Sequence, residues 1–300
     1  MEWIATETKH VSGLPESMGG SGDPSPVTAY GVYMGMKAGA RVALGNDSLE
    51  GRKVLVQGVG NVGTYLVEHL VAEGAHVWIS DVYEPSIQKL LSRFPQLEVC
   101  QPDQVASADV DIYAPCALGA TLNAHSIANL RCALVAGGAN NQLATDEDMQ
   151  RLMDRSIAYA PDFVINAGGL INVYAEIKGL NREWALQKTR GIYDQTLAIF
   201  EQAAQNRVST NEAAVRLAHQ RLTKVAHDQQ ASSSRSVAAM AFCQQTTKPG
   251  RLQGSRSAIQ GFGLHQHAFL CDGLSFAGCL DILRRNSTRR TTGPSPPSKP

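Results

Sequence analysis

Neither sign of charge is in excess in this 300-residue sequence, because 27 lysines and arginines balance 27 aspartates and glutamates. A neutral balance gives no electrostatic reason to expect nucleic acid or an anionic membrane as a partner. Long apolar runs are also missing, so we expect no membrane span. The charged first segment lacks the apolar core of a signal peptide. These absences predict a cytoplasmic protein without nucleic-acid or membrane partners.

Patterned cysteines and histidines are missing as well. The six cysteines show no C-x-x-C spacing, and the eight histidines show no metal-ligand spacing. This argues against a metal site and a disulfide framework, and it fits a reducing compartment. Cys116 could be interpreted as a nucleophile, but no base can be assigned to it. We favour a small buried apolar residue at that position.

Short β-branched runs alternate with helical patterns through the chain. Strands are predicted at 54–57, 76–80, 111–114, 132–136 and 157–160, with a weaker candidate at 163–165. Helices are predicted at 1–12, 28–44, 63–73, 84–94, 182–206 and 212–226. Alternation of this kind predicts an α/β fold of the Rossmann type, with a doubly wound, mostly parallel sheet. A C-terminal helical segment and a disordered tail would follow it.

A G-x-G-x-x-G motif stands between the first predicted strand and a predicted helix. Gly58 permits the turn out of the strand, Gly60 lets the backbone approach a pyrophosphate, and Gly63 lets the helix lie close to the sheet. The helix N-terminus offers free N–H groups to the anion. The motif therefore predicts a dinucleotide site made by Gly58, Val59, Gly60, Asn61, Val62 and Gly63.

An acidic residue follows at the expected distance, since Asp81 lies 23 residues after Gly58, at the end of the second predicted strand. Its carboxylate can accept hydrogen bonds from the adenosine ribose hydroxyls. No arginine or lysine occupies 82–84 to bind a 2′-phosphate, so we predict NAD over NADP as the cofactor. The alternative is a glycine-rich turn of another α/β protein in which Asp81 caps a helix.

Small-residue turns follow three later predicted strands. In a doubly wound sheet such turns line the ligand crevice. Asn140, Asn141 and Asn166 are thereby placed to bind a ribose or a carboxamide, unless each satisfies only its own turn. Three turns in series favour the functional interpretation. Thr28 opens a predicted helix and could simply cap it.

Five segments together resemble the Glu/Leu/Phe/Val dehydrogenase family, and within it the leucine-specific enzymes. They are 19–29, 56–63, 114–119, 138–142 and 159–169. The resemblance implies reversible oxidative deamination of leucine, or a related branched-chain L-amino acid, to its 2-oxo acid with NAD. It implies that the loop at 58–63 holds the pyrophosphate and that Asp81 binds the ribose. Thr28 and Asn166 would lie near the nicotinamide and the substrate.

The resemblance also implies parts that this sequence does not carry. In the family a separate N-terminal domain supplies two lysines and an aspartate for substrate binding and proton transfer, and no residue here matches those motifs. We therefore name no catalytic residue and expect the chain to be inactive by itself. Two alternatives stay open, a non-catalytic NAD-binding or regulatory subunit and a remnant or gene-model error.

The organisation that follows has four segments. They are a linker or remnant of the missing domain at 1–27, the NAD-binding domain at 28–180, C-terminal helices at 181–228 and a divergent tail at 229–300. A homo-oligomer, or association with a full-length relative, is the expected assembly.

Overall fold

The computed structural model describes residues 1–8 and 10–225. Six strands form one sheet in the order β3-β2-β1-β4-β5-β6, and every pair of neighbours is parallel. The strands are β1 Lys53–Gln57, β2 His76–Ser80, β3 Glu98–Val99, β4 Ile112–Pro115, β5 Leu134–Val135 and β6 Ala158–Tyr159. The strand order reverses between β1 and β4, which is the doubly wound Rossmann arrangement. The predicted fold class is confirmed.

Helices connect the strands and flank the sheet. They are α1 Glu2–Ala5, α2 Ser25–Leu44, α3 Asn61–Glu73, α4 Glu84–Arg93, α5 Ala124–Asn129, α6 Glu147–Asp154, α7 Asp162–Ile165, α8 Gly168–Ile177, α9 Arg182–Arg190, α10 Ile192–Asn206 and α11 at 210–225. None of the helices in the described ranges is long and apolar enough to cross a bilayer.

The sheet is buried on both faces. Val54 and Val56 of β1 belong to one cluster of buried apolar side chains, and Leu55 between them belongs to the other. Successive side chains of a strand point to opposite faces, so a strand covered on both sides is apolar throughout. This explains why short continuous apolar runs identified the central strands in the sequence.

Helix α2 packs closely because glycines recur on its inner face. A Cβ atom at Gly35 would lie 2.2 Å from Ile165 Cγ2, and one at Gly39 would lie 2.7 Å from Leu134 Cδ1. These glycines bring the helix against the ends of β5 and α7. The close packing positions the first turn of α2 beside the start of α8.

Four secondary-structure predictions were wrong in detail. Helix α1 covers only Glu2–Ala5 of the helix predicted at 1–12. The strand candidate at 163–165 lies within α7, which begins after Pro161, because a short buried apolar run is equally compatible with helix. The single helix predicted at 182–206 is interrupted at Gly191. Helix α2 begins at Ser25, so Thr28 is not its cap.

Contacts divide the chain into two compact units, Met1–Val215 and Arg216–Pro300. Of the second unit, the structure describes 216–225, which are helical. The disordered tail predicted at 229–300, and the last residues of the predicted helical segment, lie outside the described residues. The four-segment division of the chain stays a prediction.

Candidate functional site

The turn after β1 requires glycine for two independent reasons. Gly58 has φ of 93°, in the left-handed region that other residues rarely adopt, and its N–H donates to Ser80 O at 2.7 Å. A Cβ atom at this position would also lie 2.6 Å from the backbone nitrogen of Ala117. The chain therefore turns sharply between the ends of β2 and β4.

The other two glycines of the loop differ from each other. A Cβ atom at Gly63 would lie 1.9 Å from Gly58 O, whereas one at Gly60 would meet nothing within 4 Å. Gly63 thus lets α3 press against the turn, and Gly60 leaves its outer side open. No side chain caps α3, so its first N–H groups stay available to an anion.

The carboxylate of Asp81 binds the loop directly. Its Oδ2 accepts a hydrogen bond from the N–H of Val59 at 2.8 Å, and its Oδ1 accepts one from the N–H of Tyr83 at 2.9 Å. Asp81 is half-buried, whereas Val82 and Tyr83 are exposed. The carboxylate therefore fixes the residue after the first glycine of the loop.

Two of the three predicted asparagines come together. Asn166 Nδ2 donates to Asn140 Oδ1 at 2.7 Å, which joins the turn after β5 to the end of α7. Asn141 instead serves the turn, with φ of 53° and a carbonyl that accepts from the N–H of Ala120 at 2.7 Å. Asn141 therefore serves only its own turn, which was the alternative to a binding role. Asn140 and Asn166 remain as the candidate pair.

The asparagine pair adjoins both the glycine loop and Thr28. A Cβ atom at Gly138 would lie 2.9 Å from Val62 Cγ1, so the turn after β5 touches the first turn of α3. A Cβ atom at Gly169 would lie 2.8 Å from Thr28 Oγ1. Thr28 therefore lies beside the start of α8, whose preceding turn carries Asn166.

Cys116 is structural. Its Sγ accepts a hydrogen bond from the N–H of Gly138 at 3.3 Å, which ties the end of β4 to the turn after β5. Burial raises the pKa of the Cys116 thiol to about 11, so the thiol stays protonated at neutral pH. A protonated thiol is a poor nucleophile, which supports the apolar interpretation from the sequence, although Cys116 is half-buried and not fully buried as expected.

Three features of the site are of the kind that binds a dinucleotide. The loop at 58–63 is open at Gly60, the N-terminus of α3 faces it, and a carboxylate follows at the end of β2. In the described part of the chain, no group of three or more histidine, cysteine, aspartate or glutamate side chains could hold a metal ion.

Sequence comparison places this geometry in a known family. The model for the Glutamate/Leucine/Phenylalanine/Valine dehydrogenase family matches residues 19–83 and 80–231. The chain belongs to this family. All the site residues identified from the sequence lie within the matched ranges, so membership of the Glutamate/Leucine/Phenylalanine/Valine dehydrogenase family covers the whole candidate site.

Individual members of the family are similar over the same part of the chain. A leucine dehydrogenase of Thermoactinomyces intermedius is 47% identical over 222 residues, which is 74% of this chain and 60% of that protein. The crystal structure of an L-tryptophan dehydrogenase from Nostoc punctiforme has a TM-score of 0.65 and 44% identity, covering 67% of this chain and 61% of that one. A hetero-hexameric glutamate dehydrogenase from Thermus thermophilus, in a leucine-bound form, has a TM-score of 0.60 and 22% identity. The match covers 74% of this chain and 58% of that one, and at this identity it shows the fold alone.

The chain spans about three fifths of the length of the relatives it matches.

The structure also reveals two buried polar residues, Gln142 and Asp162, that sequence reasoning missed. Both stand inside segments that resemble the family, but their roles depend on the approach of two turns in space. Neighbouring sequence carries no signal for such an approach.

Proposed function

We propose that this chain is the NAD-binding half of an amino-acid dehydrogenase that interconverts a branched-chain L-amino acid and its 2-oxo acid. The observation that carries the proposal is the link between Asp81 and Val59, which joins a ribose-binding acid to an open glycine loop. Family membership supports the reaction class, because the relatives are named as amino-acid dehydrogenases.

Each residue of the site has a defined task in this proposal. The loop at 58–63 and the N-terminus of α3 bind the pyrophosphate, and Asp81 accepts hydrogen bonds from the adenosine ribose. Asn140 and Asn166 orient the nicotinamide end, with Thr28 beside the substrate. NAD, when bound, supplies the hydride acceptor for the carbon that carries the amino group.

Asp81 also favours NAD over NADP. A 2′-phosphate would bring negative charge against its carboxylate, and the neighbouring Val82 and Tyr83 carry no positive charge to offset it. We therefore expect calorimetry to detect NAD binding and to find NADP weaker by about tenfold or more. Equal affinity for the two would contradict this assignment.

Replacing Asp81 tests the proposed cofactor site. We expect Asp81→Ala to weaken NAD binding by about 10- to 100-fold, because the ribose and Val59 both lose a charged acceptor. Calorimetry measures the affinity. The matched control is Asp109→Ala, since Asp109 is an exposed acid paired only loosely with Lys53 at 3.5 Å. Loss of binding in both variants, or in neither, would contradict the assignment.

Turnover tests whether this chain is active by itself. The alternative, a non-catalytic NAD-binding or regulatory subunit, shares the expectation that it is not. We propose that the family reaction needs residues beyond those described here, so the 300-residue chain binds NAD without oxidising L-leucine. NADH formation with L-leucine, measured by absorbance, would overturn that expectation. Valine, phenylalanine and tryptophan are the comparison substrates, because a relative named for tryptophan is nearly as similar as one named for leucine.

Association with a second chain is part of the proposal. Leu170 and Ile177 of α8 and Leu186 of α9 are large apolar side chains left exposed in the described structure. Exposed large apolar side chains on two neighbouring helices favour a protein partner, either another copy of this chain or a longer relative. Light scattering of the purified chain, with and without a full-length family member, tests it. A monomer that binds neither would contradict it.

A further inference from the structure

Gln142 is the most completely buried polar side chain at the candidate site. It has no exposed surface, and its Nε2 donates to Gly137 O at 2.7 Å and to Ala139 O at 3.0 Å. Its Oε1 has no hydrogen-bond partner in the described structure. Burying an unpaired acceptor costs stability, and the two donated bonds offset that cost by clamping the turn after β5.

Asp162, the first residue of α7, holds the same turn from the other side. Its Oδ2 accepts a hydrogen bond from the N–H of Gln142 at 3.0 Å, and its Oδ1 accepts one from the N–H of Phe163 at 2.7 Å. Burial raises the pKa of the Asp162 carboxyl, although the backbone N–H groups that it accepts from act in the opposite direction. The carboxylate thus connects the turn after β5 to the first turn of α7.

The two connected elements are the ones that carry the asparagine pair. Asn140 lies two residues before Gln142, and Asn166 follows the last residue of α7, which begins at Asp162. Fixing Gln142 to Asp162 therefore fixes the backbone on both sides of the 2.7 Å contact between Asn140 and Asn166. Neither Gln142 nor Asp162 reaches the open side of the site, because both are buried.

Strand order identifies which part of a dinucleotide this pair would meet. Asp81 follows β2 and the glycine loop follows β1, so the adenosine and the pyrophosphate lie on that half of the sheet. The remaining half of the cofactor must extend over the ends of β4, β5 and β6. The asparagine pair stands in the turn after β5 and at the end of α7, the helix that follows β6, on the nicotinamide side.

We propose that Gln142 and Asp162 are positioning residues that set the separation of Asn140 and Asn166 for the nicotinamide half of the cofactor. The proposal deepens the function proposed above and rests on it. These two buried residues do not touch the cofactor. They determine the geometry of the end of the site where hydride transfer takes place.

Comparing NADH with ADP-ribose, which lacks the nicotinamide, tests the proposal. We expect Gln142→Leu to weaken NADH binding by about tenfold while ADP-ribose stays within about twofold, since only one end of the site is disturbed. The fluorescence of bound NADH should also lose its enhancement over free NADH. Calorimetry and emission spectra give the two readouts on the full chain.

A matched control isolates the effect of losing a buried hydrogen bond. Thr189 is fully buried and its Oγ1 donates to Ala185 O at 2.7 Å, outside the site, so Thr189→Val should leave both ligands and the NADH emission unchanged. Should Gln142→Leu fail to fold, Asp162→Asn provides a second variant with nearly the same shape. The same selective loss of NADH binding is expected from it.

The outcomes are distinct. Selective weakening of NADH supports the proposal, whereas equal weakening of NADH and ADP-ribose would show that the pair only stabilises the domain. Unchanged binding of both ligands would show that the turns hold the asparagines without it. If the unaltered chain binds neither ligand, the proposed cofactor function itself is overturned.

Discussion

At the scale of single residues, Gly60 and Gly63 offer a test that separates binding from folding. Gly60 has φ of −70° in extended backbone and open space where a Cβ atom would stand. We expect Gly60→Ala to leave the free energy of unfolding unchanged but to weaken NAD binding by about tenfold or more, because the methyl group blocks the pyrophosphate. Calorimetry beside urea unfolding checks both halves.

Gly63→Ala, by contrast, should lower the free energy of unfolding. A Cβ atom there would lie 1.9 Å from Gly58 O, so α3 or the turn must shift. We expect the free energy of unfolding to fall by about 1–3 kcal/mol, as for other overpacked positions. Gly60→Ala serves as the control in the same urea titration. A Gly63→Ala variant as stable as the unaltered chain would mean that α3 is not pressed against the turn.

Residues whose roles depend on short spacing were predictable from the sequence. Gly58 and Gly63 act within one turn, and Asp81 lies one βαβ step away, so pattern and chain order suffice to place them together. Gln142 and Asp162 act across two turns, and their hydrogen bonds join backbone groups that any residue would offer. Such a link is defined by tertiary approach, which no local pattern encodes.

At the scale of elements, one carboxylate holds the N-terminal segment on α8. Glu176 accepts hydrogen bonds from the N–H of Gly13 at 2.9 Å and from the N–H and hydroxyl of Ser21 at 3.0 and 2.5 Å. Burial by itself would raise the pKa of Glu176, but the hydrogen bonds from Ser21 and Gly13 outweigh it and lower the pKa below its ordinary value. The segment is thus held by the ionised form.

Acid should therefore release this segment before the rest of the fold. A carboxyl with a lowered folded-state pKa contributes stability above its unfolded pKa and loses it as pH falls through the folded value. We expect the hydrogen-exchange protection factors at the amides of Gly13 and Ser21 to be lost only as pH falls below the ordinary pKa of a glutamate carboxyl and through the lowered folded value, while Ala175 within α8 stays protected. Glu176→Gln should make the protection independent of pH; a pH dependence that persists in this variant would contradict the assignment.

Elements were predictable where burial imposed an unbroken pattern. The central strands are covered on both faces, so their apolar runs stood out. Helix α3 ends at Glu73, as predicted, and Gly74 follows it in left-handed conformation. Helix α8 was missed because Gly168 and Gly169 resemble a turn. Both glycines are needed where α8 abuts α2, since a Cβ atom at Gly168 would lie 2.2 Å from Val27 O.

At the scale of the whole compact unit, the two ends of the sheet have different character. The candidate site occupies the carboxyl ends of the strands. A separate cavity of about 600 Å³ opens beside the beginnings of β5 and β6, with Ala133, Ile157 and Phe200 among its lining residues. Apolar side chains dominate that lining, and none of the predicted cofactor residues belongs to it.

NAD should therefore protect one end of the sheet alone. We expect hydrogen exchange to slow on cofactor addition in the turns at 58–63, 116–119, 137–142 and 166–169, and to stay unchanged at 156–158 beside the cavity. Mass spectrometry of peptides from the two regions measures it, with AMP as a control ligand that protects only the adenosine side. Protection beside the cavity without protection of the turns would place the cofactor elsewhere.

Under the proposed preference for NAD, the hydrogen bond between Asp81 and Val59 ties the choice of coenzyme to the order of the glycine loop. A neutral residue at position 81 would admit a phosphorylated ribose, but it would also release the N–H that the carboxylate now engages. One side chain would thus determine both which coenzyme is bound and whether the glycine loop is held in place. A lineage that moved toward the phosphorylated coenzyme would need a second substitution that gives Val59 a new acceptor, and the two changes should be strongly non-additive.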